Sequence, residues 1–233
     1  MENQEVKQLI ADSKNIYLIP SEEPEAVTSA LALFYTLKDL AKNVNLVIEN
    51  LPENLKFLSP SLDFISYPKN FVISVPNNVA QVSQIYYEKN NDDLKIHLTI
   101  ESGNIKKENI LFYFAESKPD LIITLGIKDY QKELSDKLNS FGFLLDSPVV
   151  NIDNSQDNQK FGKINLIEDK SLSEIIFGLT ENVKKESATC LLTGLVLYTG
   201  NFKNKITAEI FQISSVLMKL GASLMEINKN IKF

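Results

Sequence analysis

The chain has 233 residues, of which 44% are hydrophobic and 23% charged, a balance typical of a globular protein with its own core. At about 1.5 times the length of a typical ~150-residue domain, it allows one large domain or two small ones. The net charge of −6 argues against a protein built to hold nucleic acid, because that affinity comes from basic groups that neutralise phosphates.

All 24 basic residues are lysines, so the chain has no arginine with which to bind a phosphate or carboxylate through two parallel hydrogen bonds. The single cysteine, Cys190, excludes an intrachain disulfide and is typical of the reducing cytoplasm. The first 14 residues are too polar for a signal peptide, and no apolar run is long enough for a membrane span. We therefore expect a cytoplasmic protein without membrane contact.

The first elements predict a βαβ unit. Ile16–Ile19 is a short apolar strand, the polar segment PSEEPE follows, and Ala26–Leu40 repeats apolar residues at helical spacing. Val44–Ile48 is a second strand. This order predicts a parallel pair joined by a right-handed crossover.

A different pattern follows, in which Phe71–Val75, Val82–Tyr87 and Leu94–Ile100 read as antiparallel strands. We interpret it as an antiparallel element, about residues 68–102, inserted in a single domain that covers 1–233. Its strand edges would suit an unknown protein partner or self-association. The alternative is an element that simply covers the core.

The parallel pattern then resumes, with a continuous apolar strand at Asp120–Leu125 that ends at Gly126. Val149–Ile152 is the next strand and delivers Asp153 to a polar turn. From about residue 171 to 233 the chain reads as helices. The whole predicts an α/β fold of three layers, with a mainly parallel sheet flanked by helices.

Acidic residues follow these predicted strands and are the first candidates for chemistry. Glu22, Glu23 and Glu25 stand at the start of a helix, and Asp153 follows a buried strand. Oxygen ligands that converge at strand ends would suit Mg²⁺ or Mn²⁺. The plainer interpretations are compensation of the helix dipole for the glutamates and an Asx turn for Asp153.

Four ordered segments carry a family pattern. They read IPSEEPEAVTSALAL at 19–33, DLIITLG at 120–126, IDNSQDNQKFGKIN at 152–165 and GLVLYTGNF at 194–202. They resemble the motifs of the DHH phosphoesterases, which include single-strand exonucleases, oligoribonucleases, cyclic-dinucleotide phosphodiesterases and inorganic pyrophosphatases. Three of those motifs read roughly HxxPDxDAxGSAxAL, IDHHxxNxxFGxxN and GxxxDTGxF, and the remaining one ends its strand in aspartate. The resemblance implies the DHH fold over nearly the whole chain.

The resemblance also implies which residues would hold metal. In the family, the histidine and aspartates of these motifs bind two Mn²⁺ or Mg²⁺ ions that activate water for attack on phosphorus. At those positions this chain has Ile19, Glu23, Glu25, Gly126, Asp153, Asn154, Ser155 and Tyr198. Asp153 alone is unchanged, the two glutamates are longer acids, and the other five are poor replacements for a histidine or carboxylate ligand. We therefore expect this vestigial site to hold no dinuclear centre and the protein to need no cofactor.

Three functions remain open at this stage. The first is a catalytically inactive, phosphoesterase-like protein that serves as a binding, interaction or scaffold domain. The second is a weak or altered phosphodiesterase on short oligonucleotides or nucleotides, with Mn²⁺ or Mg²⁺ on Glu23, Glu25 and Asp153. The third is a nucleotide-binding module, which the acidic balance and the missing arginines disfavour. The resemblance further leads us to expect that the family's C-terminal substrate-binding domain is absent.

Overall fold

The computed structural model describes residues 2–48, 50–59, 61, 65, 69–116, 119–139 and 147–232. By its internal contacts the chain divides into two compact units. The first comprises Met1–Pro68 with Lys118–Phe233, and the second comprises Lys69–Ser117. We refer to them as the main unit and the inserted unit.

The described elements agree in kind and order with most of the predicted ones. The strands are β1 (Asn15–Pro20), β2 (Asn43–Leu46), β3 (Lys69–Ser74), β4 (Ala80–Lys89), β5 (Leu94–Gly103), β6 (Leu111–Glu116), β7 (Leu121–Leu125), β8 (Val149–Asp153) and β9 (Ile164–Ile167). The helices are α1 (Glu2–Asp12), α2 (Pro24–Asp39), α3 (Tyr130–Asn139), α4 (Leu172–Leu179), α5 (Lys185–Tyr198), α6 (Ala208–Lys219) and α7 (Leu224–Asn230).

The main unit is built on a five-stranded sheet with the order β2-β1-β7-β8-β9, and every neighbouring pair in it is parallel. The predicted α/β class with a mainly parallel sheet is confirmed. Because the chain leaves β1 first for β2 and later for β7 on its other side, the crevice between the ends of β1 and β7 is a topological switch point. Such crevices at the carboxyl ends of strands are where open α/β sheets bind ligands.

The sheet is buried on both faces, which explains why its strands read as continuous apolar runs. On one face, Ile16 and Leu18 of β1 join a large core with α2, α4 and α5. On the other face, Tyr17 and Ile19 join a small cluster that includes Leu134 of α3. Ile19 therefore packs in the core, as its side chain requires.

Helix α2 is buried along nearly its whole length, and it contacts α5 closely around a glycine. An added Cβ at Gly194 would lie 2.0 Å from the Ser173 Oγ and 2.9 Å from the Thr28 Oγ1. The same Ser173 hydroxyl lies 3.1 Å from the Ser29 Oγ, in a buried hydrogen bond between α4 and α2. Gly194 is thus the position at which three helices meet most closely.

We predict that Gly194→Ala lowers the free energy of unfolding by about 1–3 kcal/mol, because the new methyl group must displace the Ser173 hydroxyl. Gly178→Ala is the matched control. Gly178 is also helical, but an added Cβ there meets nothing within 4 Å. It should be neutral or stabilising by about 0.5 kcal/mol. Urea unfolding of both variants measures the difference, and equal effects would contradict this account of the packing.

The inserted unit extends further than the sequence pattern predicts. The predicted element covers about 68–102, whereas the unit covers Lys69–Ser117 because β6 pairs with β3 in an antiparallel ribbon. Strand β6 was not predicted. The predicted hairpin of β4 and β5 is present, with antiparallel pairing and an irregularity near Val82.

Helix α1 was also not predicted from the sequence. Its segment is mostly polar, and it presents only Val6 and Ile10 to the core. The helical C-terminal part predicted from about residue 171 corresponds to α4–α7. No single helix in the described ranges has the length and apolarity to cross a membrane, and α6 with α7 meets that test only as a pair bent by 101°.

Candidate functional site

The predicted site residues lie at the carboxyl end of the parallel sheet and on the helices beside it. Gly126 follows β7, Asp153 ends β8, and Tyr198 ends α5. The backbone joins the strand ends directly. The Ser21 N–H donates to the Leu125 carbonyl at 2.8 Å, and the Gly126 N–H donates to the Ile152 carbonyl at 2.9 Å.

Asp153 is buried, with 1% of its surface exposed, and protein donors occupy both carboxylate oxygens. Its Oδ1 accepts from the Asn154 N–H at 2.8 Å, and its Oδ2 accepts from the Asn158 Nδ2 at 2.8 Å. A buried carboxylate needs such partners, because an unpaired charge in the interior is strongly disfavoured. The bond to Asn154 reaches the next residue, one short of the spacing that defines an Asx turn.

Asn158 connects Asp153 to the neighbouring strands. Its Nδ2 also donates to the Ile127 carbonyl at 2.8 Å, and its Oδ1 accepts from the Asn151 Nδ2 at 2.8 Å. Asn151 in turn accepts from the Thr124 hydroxyl on β7 at 2.9 Å. The result is a buried chain of polar groups that joins β7, β8 and the turn after β8.

We predict that Asn158→Ala lowers the free energy of unfolding by roughly 3 kcal/mol, since it leaves the Asp153 Oδ2 and the Ile127 carbonyl buried without these donors. Gln159→Ala is the control, because the side chain of Gln159 is exposed and donates to Asp129 on the surface. Its effect should stay within about 0.5 kcal/mol. Denaturant unfolding of the two variants compares them, and a small loss for Asn158→Ala would show that the network is dispensable.

Glu25 lies in the first turn of α2 and reaches the start of α4. Its Oε1 accepts from the Leu172 N–H at 2.6 Å, and the Asn154 side chain forms a hydrogen bond with the same carboxylate. Burial is the main cause that raises the pKa of Glu25, and nearby Glu174 adds to it. The Leu172 N–H, Lys205 and Asn154 lower the pKa, and the net value is about 7. A carboxylate at a helix N-terminus occupies the place where an anionic ligand would otherwise bind.

The raised pKa of Glu25 predicts a pH-dependent stability. The native state binds more protons than the unfolded chain between pH 4.5 and about 7, so stability falls as the pH rises through that range and then levels off. Glu25→Gln keeps an acceptor for Leu172 and removes the charge. At pH 8 we expect the free energy of unfolding of Glu25→Gln to exceed that of the parent by on the order of 2 kcal/mol. Near pH 4 the two proteins should have the same stability.

Glu23→Gln is the control for this pH profile, because Glu23 is exposed at the start of the same helix. It should reproduce the parent curve at every pH. A parent curve that is flat between pH 5 and 7, or a Glu25→Gln curve that keeps its slope, would contradict the assignment.

Tyr198 stands beside Glu25 at the end of α5. Burial raises the pKa of its phenol, as do the charges of Glu25, Glu174 and Asp169. The Lys205 Nζ lies 4.4 Å from the centre of the Tyr198 ring, in a cation–π contact. Lysine and tyrosine therefore stand where the resemblance implies a metal-binding aspartate.

Gly126 has little space for a side chain. Its φ of 67° is in the left-handed region, and an added Cβ would lie 2.9 Å from the Ser21 Oγ and 3.1 Å from the Ala26 Cβ. The carboxylate that the resemblance implies at this position would collide with the ends of β1 and α2. This part of the crevice is filled by the protein itself.

The three acids considered as metal ligands are not gathered into one site. Glu23 is exposed. Glu25 is bonded to the side chain of Asn154, whereas Asp153 accepts from the backbone N–H of the same residue. Within the described ranges, no three histidine, cysteine, aspartate or glutamate side chains form a group that could hold a metal ion. Ser155 is half-buried and accepts from the Asp157 N–H within the same turn.

Some residues of this site were missed by sequence reasoning. Asn151 had a usable signal, because a polar residue inside the apolar strand VVNID must find a buried hydrogen-bond partner. The sequence carries no signal for Lys205 or Glu174, since only folding brings them near Glu25 and Tyr198.

Comparison with known proteins supports the fold. No protein-family model matches the chain, and no curated protein does. Among solved structures, the chain is similar to an exopolyphosphatase-related protein from Bacteroides fragilis, with a TM-score of 0.69 and 18% sequence identity. The match covers 98% of this chain and 59% of that protein, so this chain spans little more than half of its neighbour's length. The match therefore shows that the two chains share an α/β fold.

Proposed function

We propose that this protein has a phosphoesterase-like fold without a dinuclear metal centre and serves as a non-catalytic binding or scaffold domain. The observation that carries the proposal is the state of Asp153. It is the one acid that the family pattern retains, and both its carboxylate oxygens are occupied by protein N–H groups in a buried network. Each oxygen of that carboxylate already has one protein donor, so a metal would have to share the carboxylate with this buried network.

The neighbouring positions support the same conclusion. A side chain at Gly126 would collide with Ser21 and Ala26, Asn154 is bonded to Glu25, and Tyr198 contacts Lys205. Each of these replacements has a contact of its own within the protein. This set of side chains does not suit two divalent ions, so we do not expect hydrolysis through a dinuclear centre in this chain.

The second candidate is a weak or altered metal-dependent phosphodiesterase that acts on short oligonucleotides or nucleotides. The observation that favours it is that Asn154 contacts both Asp153 and Glu25, which brings two acids to the same strand end. The name of the structural neighbour, exopolyphosphatase-related, points to polyphosphate as one substrate to test.

Metal analysis and turnover assays distinguish the two candidates. We expect the protein, purified without chelator, to contain well under one Mn or Mg ion per chain. It should release no product from polyphosphate or short oligonucleotides in the presence of Mn²⁺. Turnover that is lost in Asp153→Ala and retained in Asp157→Ala, a change of an exposed acid in the same turn, would contradict the proposal.

A further inference from the structure

The inserted unit exposes an unusual amount of apolar surface. Of the eighteen large hydrophobic side chains that are exposed in the described part of the chain, eleven belong to this unit. Single exposed hydrophobic residues are ordinary, but a contiguous apolar patch marks an interaction surface. The question is whether these side chains share one face.

The register of the β4–β5 hairpin places five of the eleven on one face. Residues directly opposite in an antiparallel pair lie on the same side of the ribbon. The cross-strand pairs on that side are Val82 with Ile100, Ile85 with Leu98, Tyr87 with Ile96, and Lys89 with Leu94. We call these eight residues the hairpin face; Ile85 and Tyr87 are its most exposed members, at 72% and 73%.

The opposite side of the ribbon is polar and is bonded within itself. Tyr86 stacks on His97 with ring centres 4.5 Å apart, and the His97 Nε2 lies 3.7 Å from a Glu88 carboxylate oxygen. The hairpin face, in contrast, carries a single charged residue, Lys89, at the turn end. The ribbon is therefore amphipathic, with one side suited to water and one side suited to a partner.

A two-stranded ribbon with one apolar face needs another surface packed against that face. An isolated two-stranded hairpin is marginally stable in water, and three or more strands or a packed face are needed to hold it. Among the described residues, β4 and β5 pair with each other alone. Each strand has ten residues, so the ribbon presents a long, narrow apolar side.

We propose that the hairpin face binds a second copy of itself, in a two-fold dimer in which the two ribbons stack face to face with β4 antiparallel to its counterpart. The proposal names a partner for the binding role proposed above and rests on that role.

The area is of the right order for such a dimer. From the exposed fractions of its members, the hairpin face presents roughly 600 Å² per copy, at the lower end of the ~600–1,000 Å² per partner that stable specific interfaces bury. Two sheets that stack in this way lie ~10 Å apart with interdigitated side chains.

The charge pattern favours self-association and its direction. A nearly uncharged face meets no like-charge repulsion in an isologous contact, where the same patch serves both copies. In the antiparallel arrangement the two Lys89 side chains lie at opposite ends of the interface. Parallel stacking would bring the two lysines together.

Sedimentation equilibrium of the full chain tests the surface with a matched pair of variants. Tyr87 and Tyr86 are neighbours on the same strand, both exposed, on opposite sides of the ribbon. We expect a dimer whose dissociation constant rises at least roughly tenfold in Tyr87→Thr and changes less than about twofold in Tyr86→Thr. Threonine keeps the strand propensity, and circular dichroism checks that both variants fold.

Thiol cross-linking with a short bis-maleimide tests the arrangement. The one native cysteine, Cys190, is buried and leaves the surface free of thiols. Ile85 lies at the middle of the ribbon, so the reagent should link Ile85→Cys to its own counterpart across the ~10 Å between the stacked ribbons, a span too long for a direct disulfide. Leu94 lies at the turn end, four residues from the centre, so its counterpart in the antiparallel dimer is about 27 Å away and Leu94→Cys should not cross-link.

A monomer at all concentrations overturns the proposal, as does a dimer that is equally sensitive to both tyrosine changes. Efficient cross-linking of Leu94→Cys in place of Ile85→Cys overturns the antiparallel stacking. None of these variants changes Asp153 or Glu25. Loss of the dimer therefore leaves the metal and turnover results unaffected, and turnover leaves the dimer result unaffected.

Discussion

The main unit depends on the hydrogen bond from the Asn158 Nδ2 to the Asp153 Oδ2, 2.8 Å long and buried at the carboxyl end of the sheet. It gives a buried carboxylate its partner and joins the same amide group to the Ile127 carbonyl. Since an interior charge without a donor would be strongly destabilising, the two side chains are mutually necessary. The ends of β7 and β8 are held together around them, at an edge where other α/β proteins bind ligands.

Two acids at this edge are accommodated in different ways. Asp153 receives an N–H donor on each oxygen, so its charge is compensated by hydrogen bonds. Glu25 receives the Leu172 N–H and an Asn154 contact, yet its burial still raises the pKa to about 7. Tyr198 contacts Lys205, and a side chain at Gly126 would meet Ser21 and Ala26. The side chains at this edge of the sheet are therefore engaged with one another.

The sequence predicts the parts of this fold that carry a local signal. Strands β1, β7 and β8 are continuous apolar runs because both faces of the sheet are buried, and Asp153 was predicted at the end of one of them. Strand β6 also has a local signal, the apolar run Leu111–Ala115, although no strand was predicted there. Its pairing with β3 could not be predicted, since β3 is distant in the chain. The partners of Asn158 are likewise brought together only by the sheet. The sequence does not show how closely other atoms pack around a residue, so the crowding at Gly126 could not be predicted.

Thermal unfolding with and without Mn²⁺ tests most directly whether Asp153 serves hydrogen bonding instead of metal binding. A ligand that binds the native state alone raises its stability in proportion to RT ln(1 + [L]/Kd), so a metal site would raise the Tm as Mn²⁺ is added. We predict the same Tm in EDTA and in millimolar Mn²⁺. A Tm that rises with Mn²⁺ in the parent protein and stays constant in Asp153→Ala would contradict this account.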